Sequence, residues 1–223
     1  MRYIVAMDSF KGSLTSEEAG KAVADNLKSH DEEAEIKVLS VSDGGEGMLD
    51  AFCKATHATR LSVPTRDALM RWIEAQYAIT PDGTAIIEVA QACGLMHIEH
   101  DQRNPMRTTS YGVGLLVADA LRHNCHKMII GLGGSATSDA GIGMLRALID
   151  TFAPEDHFNA IRPLFDNCEV ILASDVTNPL YGINGAAHVF AKQKGATSSM
   201  IEALDARAKQ FALHTKRAMG FDK

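Results

Sequence analysis

Short apolar runs and helical stripes alternate along the first part of the chain. Residues 2–7 form an apolar run that is typical of a buried strand, and residues 35–41 form a second one. Between them, Thr15-Ser16-Glu17-Glu18 is a capping box, in which the threonine hydroxyl accepts a hydrogen bond from a free amide and Glu18 reaches back to the cap. Residues 48–54 predict a further helix. This alternation predicts a mostly parallel sheet covered by helices.

The middle of the chain has a different period. Residues 73–79 alternate between apolar and polar side chains, which is typical of a half-exposed strand, and Pro81-Asp82-Gly83 then predicts a turn. A second strand at residues 84–90 would complete an antiparallel hairpin. We interpret the change of pattern near Val63-Pro64 as a domain boundary.

The last part of the chain returns to alternating helices and strands. A helix capped by Thr109 or Ser110 is predicted first, and apolar strands follow at residues 126–132 and 169–174. A second capping box, Ser199-x-x-Glu202, predicts the start of a final helix.

Composition and charge narrow the classes of partner. The 223 residues are 46% hydrophobic and 22% charged, which is typical of a globular protein, and the net charge is −6. Lysines and arginines are scattered, so neither a nucleic acid nor an anionic membrane is a predicted partner. The four cysteines form no C-x-x-C pair and are interpreted as buried thiols in a reducing compartment. Because no apolar run has the length of a signal peptide or a membrane span, we predict a cytoplasmic location.

Four loops that follow predicted strands combine glycine or lysine with acidic or hydroxyl side chains. Ligands of open α/β sheets bind at the carboxyl ends of the strands, where these loops would lie. The loops are Asp8-Ser9-Phe10-Lys11-Gly12-Ser13, Asp43-Gly44-Gly45-Glu46-Gly47, Gly131-Leu132-Gly133-Gly134-Ser135-Ala136-Thr137-Ser138-Asp139 and Asp175-Val176-Thr177-Asn178-Pro179.

The third loop, hereafter the glycine-rich loop (residues 131–139), has the chemistry of an anion site. Gly133 and Gly134 would let the backbone approach a ligand, and Ser135 and Thr137 add donors for phosphate or carboxylate oxygens. Asp139 could hold Mg²⁺ or orient a substrate hydroxyl. The alternative, a tight turn between a strand and a helix, stays open from this loop alone.

The second loop, hereafter the acidic loop (residues 42–47), places Asp43 and Glu46 within one glycine-rich turn. These carboxylates could coordinate Mg²⁺ or accept the proton of a substrate hydroxyl, although a turn solvated by its own charges would have the same sequence. In the first loop, Lys11 is a candidate phosphate-binding charge.

Neither common nucleotide-binding motif accounts for the glycine-rich loop. The pattern G-x-x-x-x-G-K-[ST] occurs nowhere in the chain, which excludes a Walker-type P-loop. Gly131-x-Gly133-x-x-Ala136 fits the loose dinucleotide fingerprint, but Asp150 lies on a predicted helix rather than after a second strand. A nucleotide-dependent oxidoreductase is therefore kept only as an alternative function, ranked third.

Several uncommon segments, taken in chain order, carry a resemblance to a known family. They are residues 6–13 (AMDSFKGS), 42–47 (SDGGEG), 87–95 (IEVAQACGL), 103–105 (RNP), 108–114 (TTSYGVG), 130–137 (IGLGGSAT), 174–182 (SDVTNPLYG) and 193–196 (QKGA). Together they cover nearly the whole chain and resemble the bacterial type I glycerate kinase family.

The resemblance implies an α/β fold of two units. One would be a flavodoxin-like parallel-sheet segment that begins with residues 1–63, and the other an inserted mixed α/β unit, likened to a restriction endonuclease, within residues 64–223. It also implies ATP with Mg²⁺ and D-glycerate as substrates, with phosphoglycerate, most often the 2-isomer, as the product.

Chemistry then assigns candidate roles, since phosphoryl transfer depends on positioning and charge neutralisation. Lys11, Ser135 and Thr137 would contact phosphoryl oxygens or the glycerate carboxylate. Asp43 or Glu46 would bind Mg²⁺ or accept the proton of the attacking hydroxyl. Asp139 and Asp175 are alternative catalytic carboxylates, and Asp139 is also an alternative ligand of the metal. Arg103 and Arg107 would neutralise the anionic substrate. The remaining candidate binding residues are Asp8, Ser9, Gly44, Gly45, Thr109, Ser110, Gly133, Gly134, Asn178 and Lys194.

The chain also departs from the family pattern. Ser138 and Ala140 replace an Asn and a Gly, and the segments that follow the last helix in the family are not found before Lys223. We therefore expect a C-terminally truncated member whose β-strand at residues 3–7 and whose helical stripe of Ile201, Leu204 and Phe211 lack cover. Self-association into a homo-oligomer would follow from this exposure. The alternative function is a non-catalytic fragment that acts as a binding module.

Overall fold

Strands and helices alternate in the structure, a computed structural model that describes residues 1–10, 12–153 and 160–219. The first elements are β1 (Arg2–Met7), α1 (Ser16–His30), β2 (Glu35–Ser40) and α2 (Met48–Thr56). The middle elements are β3 (Thr59–Arg66), β4 (Trp72–Ile79), β5 (Thr84–Glu88) and the short helix α3 (Val89–Cys93). The last elements are α4 (Tyr111–Arg122), β6 (Lys127–Gly131), α5 (Ile142–Phe152), β7 (Glu169–Ala173), α6 (Ala186–Phe190) and α7 (Ser198–Met219).

The strands form two sheets. β1 and β2 make a parallel pair whose register runs from Arg2 opposite Glu35 to Met7 opposite Ser40. The other five strands lie in the order β3-β4-β5-β6-β7, with antiparallel pairing from β3 to β5 and parallel pairing from β5 to β7. The predicted α/β class and the antiparallel hairpin of β4 and β5 are therefore confirmed.

The change of pattern at Val63-Pro64 does not mark a border between elements. Both residues lie inside β3, where Val63 pairs with Ala75 and Pro64 with Glu74 of β4. Proline is tolerated at this position because β3 is an edge strand, which can lack one backbone donor. A division between the two sheets would have to precede Thr59.

The five-stranded sheet is covered on both faces. On one face, Ile87 packs with Val113 and Leu116 of α4 and with Leu148 of α5 in the main core. On the other face, Ile86 packs with Met48 and Leu49 of α2. Neighbouring side chains of a strand point to opposite faces, so α2 joins the N-terminal part of the chain to the larger sheet.

The two-stranded sheet has much thinner cover. Ile4 is 73% exposed, and Val38, Leu39 and Val41 are exposed as well. α1 packs closely on this sheet, where Gly20 lies so near Val38 that an added Cβ would come within 2.5 Å of its Cγ1. The expected exposure of apolar surface at the first strand is therefore confirmed.

The final helix differs from its sequence-based description in two ways. Leu204, expected to lack cover, is only 1% exposed because it packs against Ala187 and Ala191 of the α6 region. The helix begins at Ser198, and Thr197 Oγ1 accepts a hydrogen bond from Met200 N at 3.3 Å. Thr197, and not Ser199, is therefore the residue that caps it.

Two further observations concern the cysteines and the lengths of the helices. All four cysteines are free; Cys93 and Cys125 are buried, while Cys53 and Cys168 are half-buried. In the part of the chain that the structure describes, no helix combines the length and the apolar character needed to cross a membrane.

Candidate functional site

Main-chain hydrogen bonds join the loops that follow β2, β5 and β6. Gly133 N of the glycine-rich loop donates to Gly44 O of the acidic loop at 3.0 Å, and Leu132 N donates to Ala173 O, at the end of β7, at 3.1 Å. In addition, Leu95 N donates to Gly134 O at 2.8 Å. These bonds bring two of the four predicted loops, the acidic loop and the glycine-rich loop, to one place.

Glycine is required at this junction by loop-to-loop contact. A Cβ at Gly133 would lie 2.5 Å from Gly45 Cα, and one at Gly44 would lie 2.6 Å from Ala173 O. Gly44 also has a φ of +91°, which side chains disfavour. The glycines at 44, 45 and 133 thus let two backbones meet, and this differs from the expected approach of Gly133 to a ligand.

Gly134 occupies a different position in the junction. Its φ is +71°, and an added Cβ would lie 3.2 Å from Glu46 Cγ and 3.3 Å from Ala90 Cβ. Glu46 therefore packs directly over the glycine-rich loop, which places one candidate catalytic carboxylate beside the predicted anion-binding segment.

The acidic loop also lines a cavity of about 380 Å³, hereafter the Glu46 cavity. Ser9 lies on its wall, and its Oγ donates to Glu46 O at 3.5 Å. The lining carries the carboxylates of Glu17, Glu18, Glu46 and Asp50, and the Nζ of Lys54 lies 2.5 Å from a Glu17 oxygen. Arg60 pairs with Asp50, so two of the four carboxylates have a cationic partner. The Glu46 carboxylate can accept a hydrogen bond from a substrate hydroxyl. Lys11, predicted to bind phosphate, lies outside the described residues.

A second cavity of about 470 Å³, hereafter the Lys194 cavity, is lined in part by residues of the glycine-rich loop. Lys194 is 8% exposed, and its Nζ donates to Ser135 Oγ at 3.1 Å and to Thr137 O at 2.5 Å. Burial lowers the pKa of Lys194 to about 8, against the opposing effect of the Cys93 and Asp139 charges. The lysine, the two hydroxyl residues, Ser110 and Asp139 all line this cavity.

The carboxylate of Asp139 is occupied by hydrogen bonds. It accepts from Ser110 N at 2.8 Å, from Ser110 Oγ at 2.9 Å, and from Gly141 N and Gly143 N at 3.2 and 3.1 Å. Thr109 Oγ1 approaches the same carboxylate at 3.5 Å. These contacts hold together the starts of α4 and α5, so the geometry assigns Asp139 a positioning role and leaves little capacity for a metal.

The described residues contain no group of three or more His, Cys, Asp or Glu side chains that could hold a metal ion. Asp43 accepts a hydrogen bond from Gly45 N at 2.8 Å, which shapes the turn of the acidic loop. A Mg²⁺ ion would therefore need further ligands from a bound substrate, as is common for this ion.

Five other predicted residues line neither cavity. Asp8 accepts from Ser9 N at 2.7 Å, and Arg103 Nε donates to Ile98 O at 3.3 Å. Asn178 Nδ2 donates to Asn184 O at 3.1 Å, while Arg107 and Asp175 are exposed. Asp8 nevertheless adjoins the wall of the Glu46 cavity at Ser9, and Arg103 packs against Gly195, next to Lys194.

Two buried groups have shifted pKa values, and the sequence analysis missed one of them, Glu88. Glu88 is 2% exposed, its Oε2 accepts from Leu49 N at 2.9 Å, and burial raises its pKa. Burial likewise raises the pKa of the Cys93 thiol to about 12. The sequence signal for Glu88 was a carboxylate at the end of an otherwise apolar strand, because a buried carboxylate needs a hydrogen-bond partner within the protein. In the structure that partner is the backbone N–H of Leu49, in the first turn of α2.

Comparisons with known proteins add to this geometry. The profile of the glycerate kinase family matches residues 3–223. The chain is 35% identical to a glycerate 2-kinase of Escherichia coli K12, covering 100% of this chain and 63% of that protein. It is 37% identical to a glycerate kinase of Bacillus subtilis 168, covering 99% and 62% respectively. A crystal structure of a Salmonella typhimurium LT2 protein assigned as glycerate kinase 2 matches with a TM-score of 0.79 at 34% identity, covering all of this chain and 64% of that one. The chain thus spans less than two thirds of the length of these relatives.

Proposed function

Because the chain belongs to the glycerate kinase family, we propose that it takes part in ATP-dependent phosphorylation of D-glycerate, with 2-phosphoglycerate as the product. One observation supports this most directly: the glycine-rich loop is contacted both by a buried lysine, Lys194, and by an acidic side chain, Glu46. A cationic anchor and a carboxylate at one loop match the two requirements of phosphoryl transfer to a hydroxyl.

On the cationic side, Lys194 Nζ and the hydroxyls of Ser135 and Thr137 are proposed to contact phosphoryl oxygens. A charge-assisted hydrogen bond from a buried ammonium is stronger than a neutral one, since the surroundings screen it less. Lys11 is proposed as a further phosphate contact. Their function would be to hold the γ-phosphoryl group and neutralise its charge during transfer.

On the acidic side, Glu46 is proposed to accept the proton of the attacking glycerate hydroxyl, with Asp43 as its alternative. The hydroxyl oxygen forms a bond to the γ-phosphorus while the bond from that phosphorus to the ADP oxygen breaks, and the proton passes to the carboxylate. Glu46 is half-buried and faces a cavity, whereas the carboxylate of Asp139 is engaged by hydrogen bonds and Asp175 is exposed. Glu46 therefore has the best access to a substrate hydroxyl.

Magnesium would enter with the nucleotide. Mg²⁺ usually keeps few protein ligands and takes substrate phosphates as the rest, so a single carboxylate such as Asp43 would be enough to hold it. When bound, it would neutralise phosphate charge. We propose no role for Asp139 as a ligand, because its oxygens already accept several hydrogen bonds.

The setting of the reaction is part of the proposal. We place it in the cytoplasm, with glycerate and a nucleotide as small-molecule partners and without a nucleic acid or a membrane. The β1–β2 pair would belong to a flavodoxin-like unit and the five-stranded sheet to the inserted unit.

A coupled assay of ADP release tests this function. The purified chain is mixed with ATP, Mg²⁺ and D-glycerate, and the product is identified by phosphorus NMR, which separates 2-phosphoglycerate from its 3-isomer. Glu46→Gln is expected to lower kcat by about 100-fold or more, the size of a lost general base. Asp175→Asn is the matched acidic control and should keep the wild-type rate.

Two outcomes would contradict the proposal. Transfer to other hydroxy acids with none to D-glycerate would remove the substrate assignment. Nucleotide binding without any transfer would instead favour the binding-module alternative, which the exposed apolar face at Ile4 also favours.

A further inference from the structure

The Lys194 cavity has two kinds of wall. Apolar side chains from several elements form most of it, among them Val113, Met144, Leu172, Phe190 and Leu204. The polar groups are concentrated on the glycine-rich loop and Lys194. Small-molecule sites commonly combine a mostly apolar lining with a few polar groups that fix orientation, and this lining has that composition.

The charge inside this cavity is not balanced at close range. Lys194 Nζ has two neutral oxygen partners, Ser135 Oγ and Thr137 O. Within residues 1–10, 12–153 and 160–219, no carboxylate oxygen lies within 4.0 Å of Lys194 Nζ, so the lysine forms no ion pair there. A buried ammonium without such a partner is costly, and the lowered pKa of Lys194 reflects that cost. An anionic ligand group would supply the missing charge.

The size and the apolar lining distinguish between the two substrates. The cavity measures about 470 Å³, which lies in the range of about 300–1,000 Å³ occupied by ligands much larger than a three-carbon acid. Glycerate would leave Phe190 and Leu172 in contact with water and its own hydroxyls without partners. A purine ring with attached phosphates matches both walls, because the ring can pack on apolar groups while the phosphates meet the lysine.

We infer that the Lys194 cavity is the nucleotide subsite, with the base among Phe190, Leu172 and Leu204 and the phosphates at Lys194 and Ser135. This assignment rests on the proposed kinase function, and it leaves the Glu46 side of the glycine-rich loop to glycerate. The γ-phosphoryl group and the glycerate hydroxyl would then have to meet beside Gly134, over which Glu46 packs.

Displacement of a fluorescent ATP analogue by ATP, measured on the purified chain, tests the inference. Ala208 lies on the cavity wall and Ala206 is an exposed residue of the same helix. We expect Ala208→Phe to fill the cavity and weaken ATP binding by about 10-fold or more, while Ala206→Phe leaves it unchanged. Lys194→Met should weaken ATP binding by about 10- to 100-fold through loss of a charge-assisted hydrogen bond, and exposed Lys192→Met should not.

Circular dichroism of all four variants distinguishes loss of binding from loss of fold. If Lys194→Met unfolds, Ala208→Phe still tests the inference. Wild-type ATP affinity in a folded Ala208→Phe variant would overturn the placement and leave the kinase function standing. Displacement of the probe by D-glycerate and not by ATP would overturn it as well. Nucleotide binding that depends on Lys194 and Ala208, in a chain that transfers no phosphate to glycerate, would support the subsite and contradict the proposed function.

Discussion

Burial of Lys194 sets a pH dependence of stability. Its pKa is about 8 in the folded chain and 10.5 for an ordinary exposed lysine, so the unfolded chain binds more protons between these values. The contribution of Lys194 to the free energy of unfolding therefore rises as the pH increases from 8 to 10.5. The Cys93 thiol, whose pKa is raised from 9.0 to about 12, acts in the opposite direction above pH 9.

We predict that Lys194→Met removes the rising contribution while Lys192→Met retains it. Urea denaturation of both variants and the wild type across this pH range measures the difference, in which the cysteine effect cancels. An unchanged pH slope in Lys194→Met would show that Lys194 titrates as an exposed lysine.

The candidate carboxylates Asp139 and Asp175 differ in how many contacts they make. Asp139 accepts hydrogen bonds from both α4 and α5, whereas Asp175 is exposed. We predict that Asp139→Asn lowers the free energy of unfolding by about 1–3 kcal/mol, because an amide NH₂ would face the donors that the carboxylate accepts. Asp175→Asn should change it by less than about 0.5 kcal/mol. Equal stability of the two variants in urea titrations would mean that the contacts of Asp139 contribute little.

Sequence reasoning named several residues that the structure brings together, but not the contacts that they make. Ser135, Thr137 and Lys194 were all candidates, and the structure brings them to one cavity. Gly133 was expected to face a ligand, yet it faces Gly45. The sequence around a glycine indicates that another group comes close to its backbone. It does not show which group this is, because that group belongs to another part of the chain.

At the scale of elements, α1 shows how local signals define a helix start. Thr15 Oγ1 accepts from Glu18 N at 3.2 Å, and Glu18 Oε2 accepts from Thr15 N at 2.8 Å, so the predicted capping box is present. We predict that Thr15→Ala costs about 1 kcal/mol of stability. Ser199→Ala, at the serine of the other predicted box, should be close to neutral because Thr197 caps α7. Thermal unfolding of the two variants compares them directly, and a larger loss for Ser199→Ala would contradict this account.

Strand ends were less predictable than helix starts. The second strand of the hairpin was expected to reach residue 90, but β5 ends at Glu88 and residues 89–93 form α3. Val89 and Ala90 are apolar and suit either a buried strand or a buried helix. Tertiary contacts decide between the two, and a sequence window does not contain them.

At the scale of the whole molecule, the α/β class followed from alternating elements, but the meeting of the loops did not. The acidic loop follows β2 of the small sheet, and the glycine-rich loop follows β6 of the large one. Their contact depends on α2 packing against Ile86 of the large sheet. No spacing along the chain encodes that arrangement.

The thin cover of the small sheet predicts concentration-dependent association of the chain. Ile4 is 73% exposed, the exposed Leu39 lies on the same face of the sheet, and apolar surface of this kind favours contact with another molecule. Ile4→Glu should reduce the apparent mass at high concentration in multi-angle light scattering. Ile183→Glu is the control, because Ile183 is 79% exposed and lies in the segment between β7 and α6. A wild-type chain that stays monomeric throughout the range would refute this prediction.

The main-chain hydrogen bond between Gly133 and Gly44 has a consequence for redesign of the proposed site. The bond joins the two loops through backbone atoms that every residue possesses, so it does not require any particular side chain on the loops. Libraries that vary residues 9, 46 and 135 while keeping glycine at 44, 45 and 133 would therefore change the chemistry of the proposed site on an unchanged frame. The same bond makes the Gly133 amide a natural reporter, because its slow exchange with deuterium would show in each library member whether the frame is intact.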